Sequence, residues 1–523
     1  MKRLFINIAF LSLLAGSFSS CKKQLDENYL NPELTTTGSL SKLLSGMYLN
    51  KRIHPSYWDF YTFVMPFTAA YAQTAALSPG AQMYIPSTSY TENRWVDFYD
   101  GVAGTDYNYD GPGIMSNYRE MQTTYSALSA TQQEEQLVYL KIAEVMVYDQ
   151  ASQMIDLWGD IPFSESNSLN TTRSLSYAKF DDAASLYDTM ITNLKALNTY
   201  FDTATVATTQ SSALSSGDLM FAGDLSKWQR YANSLRLRLL MRISNYDEST
   251  AKSEVSTMLN NAGTYPLITS NDYNAVIWMN STTLRSDLND VFTGYPYAPA
   301  YLLDTMMVAN GDPRTDVFWD ANSTNGFKGF PSNGTSAQYD AGGYATYDSA
   351  TFFYNYNIPS VLMTAAEVSF LKAEADERWS LGTAQTDYEN GITQSTAFYY
   401  SINSKMVLKT GDYTALTAPT ATTISTFLLQ SAIAYSGTTT EKLAKIYTQK
   451  WMNFFILQAG QAWAEYRRTG YPVLHFATST SSSGSTPPTR LLYPSSEQLY
   501  NSANYSNVSG KDTRDTKIFW DVN

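Results

Sequence analysis

The sequence predicts an all-α protein, a scaffold of paired helices from which long loop-rich insertions project. Five extended segments carry apolar residues at helical spacing, and residues 265–359 switch to a texture of Gly, Pro, Asn, Tyr and Asp with no sustained period. No clean 34-residue repeat is visible, so periodicity points to helix pairs but does not by itself establish a repeat array.

Taken in order, "LSKLLSGMYL" opens the folded part as a short helix. Residues 130–156 form a long amphipathic helix, with Leu137, Leu140, Ala143, Val147 and Ala151 recurring along one side. Residues 180–201 are a second, carrying Ala184, Tyr187, Ile191 and Leu194, and residues 225–244 a third. Residues 360–379 follow Pro359 as a fourth, with Thr364 and Glu367 at capping-box spacing. Residues 441–468 are the fifth and longest, with a break expected near Gly460. Segments 411–426 and 477–489 are expected to be loops.

Gly159 and Gly470 suit positions just past a helix end, and Pro162 and Pro472 stop continuation. Arg467 and Arg468 favour the negative end of a last turn. Arg230, Arg236, Arg238 and Arg242 form a basic stripe whose plain use is ion pairing with neighbouring helices; a sugar-acid or phosphate contact is the sharper alternative.

The N-terminus carries different information. Lys2 and Arg3 precede a mostly apolar run from Leu4 to Ala15, and Gly16, Ser17, Ser19 and Ser20 lead to Cys21, the only cysteine. This is the shape of a secretory signal peptide, too short to span a bilayer, ending at a lipidated cysteine. Phe18 stands where lipoprotein signals usually have Leu. The expected division is a signal peptide at 1–20, a lipidated polar tether at 21–36 and a single helical domain at 37–523, with its loop-rich region at about 265–359. Attachment by two or more acyl chains at Cys21 gives a stable membrane anchor. No cysteine remains for a disulfide framework or thiol catalysis, and no other run approaches 18 apolar residues.

Composition narrows the partner. Charged residues make up only 16%, Tyr occurs 40 times, and the net charge of −13 becomes −15 once Lys2 and Arg3 leave with the signal. An acidic chain lacks the basic footprint that nucleic acid requires. Tyr offers a flat apolar face and a hydroxyl on one side chain, which suits neutral polar ligands. Sugar rings present apolar C–H faces and hydroxyls, so a glycan site needs aromatic platforms rimmed by polar groups. The richest early cluster is "SYTENRWVDFYDG", with Asn93, Arg94, Trp95 and Tyr99; "SYWDFYTF" supplies Tyr57 and Trp58. The later loops offer Trp278, Tyr295, Tyr297 and Trp319. For each of these aromatics, plain core packing is the competing reading.

"LWGDIPFSES", "WQRYANSLRLRLLMRIS", "AAEVSFLKAEADERW", "YTQKWMNFFILQAGQAWAEYRRTGYPVL" and "RLLYPSSEQLYNSANY" follow one another behind the lipoprotein signal. In this order they resemble the SusD/RagB family of outer-membrane nutrient-binding lipoproteins, in its SusD-like branch, over nearly the whole mature chain. The resemblance implies tetratricopeptide-like helix pairs supporting a loop-rich ligand face built from an early and a middle loop. It implies a lipid-anchored, surface-facing outer-membrane protein that captures glycans or other nutrients. It also implies a TonB-dependent, SusC-like barrel as partner. Asp26 and Glu27 come late after Cys21, behind Lys22 and Lys23, a departure from the acidic residues that often accompany surface export in this group.

Other chemistries are weaker. "DYNYDG", Asp106 to Gly111, begins like a calcium loop, but its twelfth position is Asn117 rather than a bidentate Glu, so no metal or other cofactor is assigned. His54 and His475 are the only histidines, and no nucleophile elbow, zinc helix or phosphate-cradling loop is present. No catalytic residue is assigned and the protein is expected not to be an enzyme. The alternatives are uptake of a non-glycan nutrient such as peptides, a secreted glycoside hydrolase needing only two carboxylates, and a structural surface protein.

Overall fold

Helix caps set the boundaries that periodicity left loose. The computed structural model describes residues 39–54, 56–80, 83–101, 113–172, 177–279, 285–477 and 486–522. Ser129 and Gln132 close a reciprocal capping box that opens helix Ala130–Trp158, and Thr438 and Glu441 do the same for Thr439–Phe454. Asp182, Asp224 and Thr364 cap Ala183–Thr203, Leu225–Arg242 and Ala365–Trp379 by accepting backbone N–H bonds. Gly159 (φ +82) and Gly470 (φ +73) end two helices in a backbone conformation that a Cβ would strain.

These helices pack as tetratricopeptide-like pairs. Ile114–Ser126 lies on Ala130–Trp158, Ala183–Thr203 on Leu225–Arg242, and Ala365–Trp379 on Ala384–Ser404. Among the described residues the β-structure is three two-stranded antiparallel sheets: Ile161–Pro162 with Phe180–Asp181, Ala275–Ile277 with Ser360–Met363, and Trp319–Asp320 with Thr346–Tyr347. The architecture is the all-α scaffold the sequence predicts.

Several boundaries differ. Residues 360–363 form a strand, because the Thr364 cap starts the helix only at Ala365. The longest expected helix is two, Thr439–Phe454 and Ala459–Thr469, and Gly460 sits inside the second. The break falls at Phe455 (φ +45), whose fully buried ring stacks on Phe318 at 4.3 Å; burying that ring offsets the backbone strain. Part of 411–426 is helical, since Thr420 caps Ala421–Leu428. The early cluster Asn93–Tyr99 lies on helix Thr88–Tyr99 rather than on a loop.

The basic stripe is internal wiring. Arg238 pairs with Glu367 at 2.6 Å and Asp149 at 2.9 Å, joining three helices. Arg242 reaches Glu465 at 2.6 Å, and Arg236 pairs with Glu254. Arg230 donates to the Leu267 carbonyl at 2.9 Å and lies over the Tyr273 ring. Arg468 and Lys450 both engage Glu374 and Glu465, with Arg468 Nη2 at 2.7 Å from each carboxylate. Burial alone would raise the Glu374 carboxyl, but these two cations hold it well below the usual range. Arg467 lies over the Trp463 ring at 3.8 Å. Both arginines of the "YRRTGYP" stretch therefore hold the fold.

Cys21, the expected signal and tether (1–20 and 21–36) and the Asp106–Gly111 stretch lie outside the described residues. Among the described residues no helix is long and apolar enough to cross a membrane, and no group of three or more His, Cys, Asp or Glu residues could hold a metal ion.

Candidate functional site

Ser56 accepts a bond from Asp59 N–H and opens the short turn Tyr57–Asp59, which continues as the π-helix Phe60–Ala69. Phe60, Phe63 and Val64 turn inward, while Trp58 and Tyr61 face out at 43% and 36% exposure. A buried ion pair fixes the turn: Asp59 Oδ2 meets Arg94 Nη1 at 3.2 Å, and Arg94 belongs to helix Thr88–Tyr99. That helix also presents Tyr90, whose ring meets Trp58 edge-on at 5.9 Å.

From this turn the rings continue as a band. Tyr57 stacks on Tyr61 at 5.2 Å and 19°, and Tyr61 meets Tyr295 at 5.4 Å. Tyr295 Oη donates to the Tyr61 carbonyl at 3.0 Å. Gly294 permits this approach, since a Cβ there would lie 2.6 Å from the Tyr61 ring. Tyr339 Oη reaches the Gly294 carbonyl at 3.4 Å, and its ring meets Tyr297 at 4.9 Å. The turn Tyr57–Asp59 also packs on Leu288–Thr293, where Asp290 pairs with Lys409 at 2.6 Å and provides a charged but mutually compensated rim. Burial, then Tyr61 and Asp290, raise the Tyr57 hydroxyl above its ordinary value, and burial raises that of Tyr295, so both remain neutral hydrogen-bonding groups.

Tyr295 is therefore joined to this turn through Tyr61, and Trp58 stands on the same turn with its ring against Tyr90. The other expected residues are placed elsewhere. Trp95 is 3% exposed, enclosed by Trp158 and Tyr99 at 5.2 Å and by Tyr493 at 5.9 Å. Trp319 is 1% exposed among Tyr347 and Phe455, with its indole N–H on Met307 Sδ. Tyr99 is buried, and Arg94 is committed to Asp59. These four are buried in the core, which corrects the expectation of exposed ligand platforms on this surface. Asn93 is exposed on its helix, and Trp278 is half-buried beneath Lys405 Nζ at 4.2 Å, away from the ring contacts of the band. Tyr61, Tyr90 and Tyr339 were not anticipated. The four-residue spacing of Tyr57 and Tyr61 was the available signal, because it places both on one helical face.

The band offers apolar ring faces with phenolic hydroxyls at their edges, drawn from two distant chain segments and resting on a helical support. Such a surface can stack planar or C–H-rich ligands and hydrogen-bond their hydroxyls.

Residues 65–494 match the SusD-like family model, described as starch-binding and associating with the outer membrane. A solved chitin-binding protein superposes with a TM-score of 0.74 at 21% identity, covering 93% of this chain and 100% of its own. A SusD homologue from Bacteroides fragilis NCTC 9343 gives 0.71 at 21% identity, with 92% and 99% coverage. Another from Bacteroides thetaiotaomicron VPI-5482 gives 0.66 at 22%, with 93% and 100%. These likenesses establish the fold. No curated protein matches the chain.

Proposed function

The chain belongs to the SusD-like family of outer-membrane-associated proteins, and from that membership we propose that it captures glycans at the cell surface without cleaving them. It hands them to a TonB-dependent, SusC-like outer-membrane barrel. The observation that carries the reading is the band Tyr57–Tyr61–Tyr295 beside the pair Trp58–Tyr90, with Trp58 and Tyr61 exposed. Aromatic rings are costly to leave in water unless a partner covers them, and a pyranose C–H face is a fitting cover. The chitin-binding neighbour, which shares the fold, is consistent with a polysaccharide ligand. Cys21 holds the protein to the outer membrane through its acyl chains, with the band facing outward.

A panel of neutral polysaccharides, titrated into the wild type and the Trp58→Ala/Tyr61→Ala double variant, tests the reading. Saturable binding of at least one glycan, lost in the double variant with the melting temperature preserved, supports it. Binding only to peptides, or release of reducing ends from a bound glycan, overturns it. For the anchor, Cys21→Ala should move the protein from the detergent-rich to the aqueous phase.

A further inference from the structure

Beneath the band, a cavity of about 90 Å³ opens among the π-helix Phe60–Ala69, the Lys51–Ile53 turn, helix Ala130–Trp158 and the Ile456–Gln461 link. A single water needs roughly 10–15 Å³ of such volume, so an acetate-sized ion fits. Arg52 lines the cavity and is only 7% exposed. Its Nε donates to Gln150 Oε1 at 3.1 Å and its Nη1 to the Arg94 carbonyl at 3.0 Å, both neutral acceptors. Its Nη2 has no protein acceptor, nor has Nε of neighbouring Arg94, which also lines the cavity.

The carboxylates around Arg52 are engaged elsewhere or shared with other cations. Asp59 is taken by Arg94 at 3.2 Å and Asp149 by Arg238 at 2.9 Å. Asp156 accepts from Tyr187 at 2.6 Å and Trp520 at 2.9 Å and pairs with Arg242 at 3.5 Å. Asp97, its carboxyl pushed up to about 6 by burial and by Asp59, shares its charge among Arg94, Arg52 and Lys51. Lys51 adds a further positive charge at the wall, while the remaining polar lining, Gln150, Gln458 and Gln461 among it, is uncharged. A buried guanidinium with no ion pair and an unmet N–H is unfavourable by several kcal/mol unless an anion joins it.

We propose that this cavity binds a small monovalent anion, of carboxylate or halide size, held between Arg52 Nη2 and Arg94 Nε. The anion completes the interior on which the Tyr57–Asp59 turn rests, since Asp59 and Arg94 belong to both. The site stands whether or not the band binds a glycan.

Two measurements test it. Acetate added to the purified protein at constant ionic strength should raise the melting temperature saturably, by about 2 °C over two decades of concentration. Arg52→Met, which keeps the stem and removes the charge, should abolish that rise. A crystal of the wild-type protein soaked in bromide should show anomalous density in the cavity within hydrogen-bonding reach of Arg52. The soak does not depend on the variant folding. Equal acetate responses in wild type and Arg52→Met, or bromide found only on the outer surface, would overturn the proposal.

Discussion

Tyr295 donates its phenolic hydrogen to the backbone carbonyl of Tyr61 at 3.0 Å, across a separation of 234 residues. This bond registers the middle of the chain against its early turn, and both rings of the band depend on it. Tyr295→Phe should cost about 1 kcal/mol and weaken glycan affinity several-fold by loosening Tyr61. Calorimetric titration beside a melting curve checks this; unchanged affinity would mean that ring contact alone sets the register.

Trp58 and Trp319 separate binding from folding. Trp58, 43% exposed, should lose tenfold or more in affinity on change to Ala, with stability altered by no more than about 0.5 kcal/mol. Trp319, 1% exposed, should cost about 3–5 kcal/mol on the same change while the remaining folded protein binds normally. Urea unfolding and binding isotherms of the two variants should therefore give opposite patterns.

Glu374 is fully buried and holds Arg468 at 2.7 Å and Lys450 at 3.2 Å. Glu374→Gln leaves two buried cations undercompensated and should cost about 3–5 kcal/mol. The exposed pair Asp290–Lys409 should contribute no more than about 1 kcal/mol, as Lys409→Met would show in the same urea series.

Acid titration should reveal two opposed groups. Burial and Asp59 lift Asp97 from 3.8 to about 6, so between these values the folded state carries a proton that the unfolded chain has lost. Its contribution therefore falls as pH rises through that window, and Asp97→Asn should flatten the slope and add roughly 1–3 kcal/mol above it. Glu374, held low by Arg468 and Lys450 against burial, works in the other sense. Its contribution is present above about pH 4.5 and is lost as pH falls through its lowered folded value. Melting temperatures of wild type and Asp97→Asn from pH 3 to 8 would display both limbs.

Much of the scaffold was legible because helix signals are local. Ser129, Asp182, Asp224 and Thr364 stand immediately before periodic runs, and their side chains cap the helices found there. The polar helices Thr88–Tyr99 and Ala384–Ser404 were missed because their buried faces include Thr, Ser, Asn and Asp, which blunts the apolar stripe. The candidate site was half legible. Aromatic content located the two contributing regions, but exposure is a tertiary property: nothing in "ENRWVDF" states that Trp95 turns toward Trp158, whereas Trp58 turns to solvent. The break at Phe455 was hidden for the same reason, since its stacking partner Phe318 lies far away in the chain.

The rings of the band bear no formal charge, and beside them Asp290 and Lys409 cancel each other. A grip made this way acts by touch rather than at a distance, and dissolved ions, which shorten the reach of charge to about 10 Å at 0.1 M, have little in it to weaken. A cell foraging with such a protein would hold its food as firmly in brine as in fresh water.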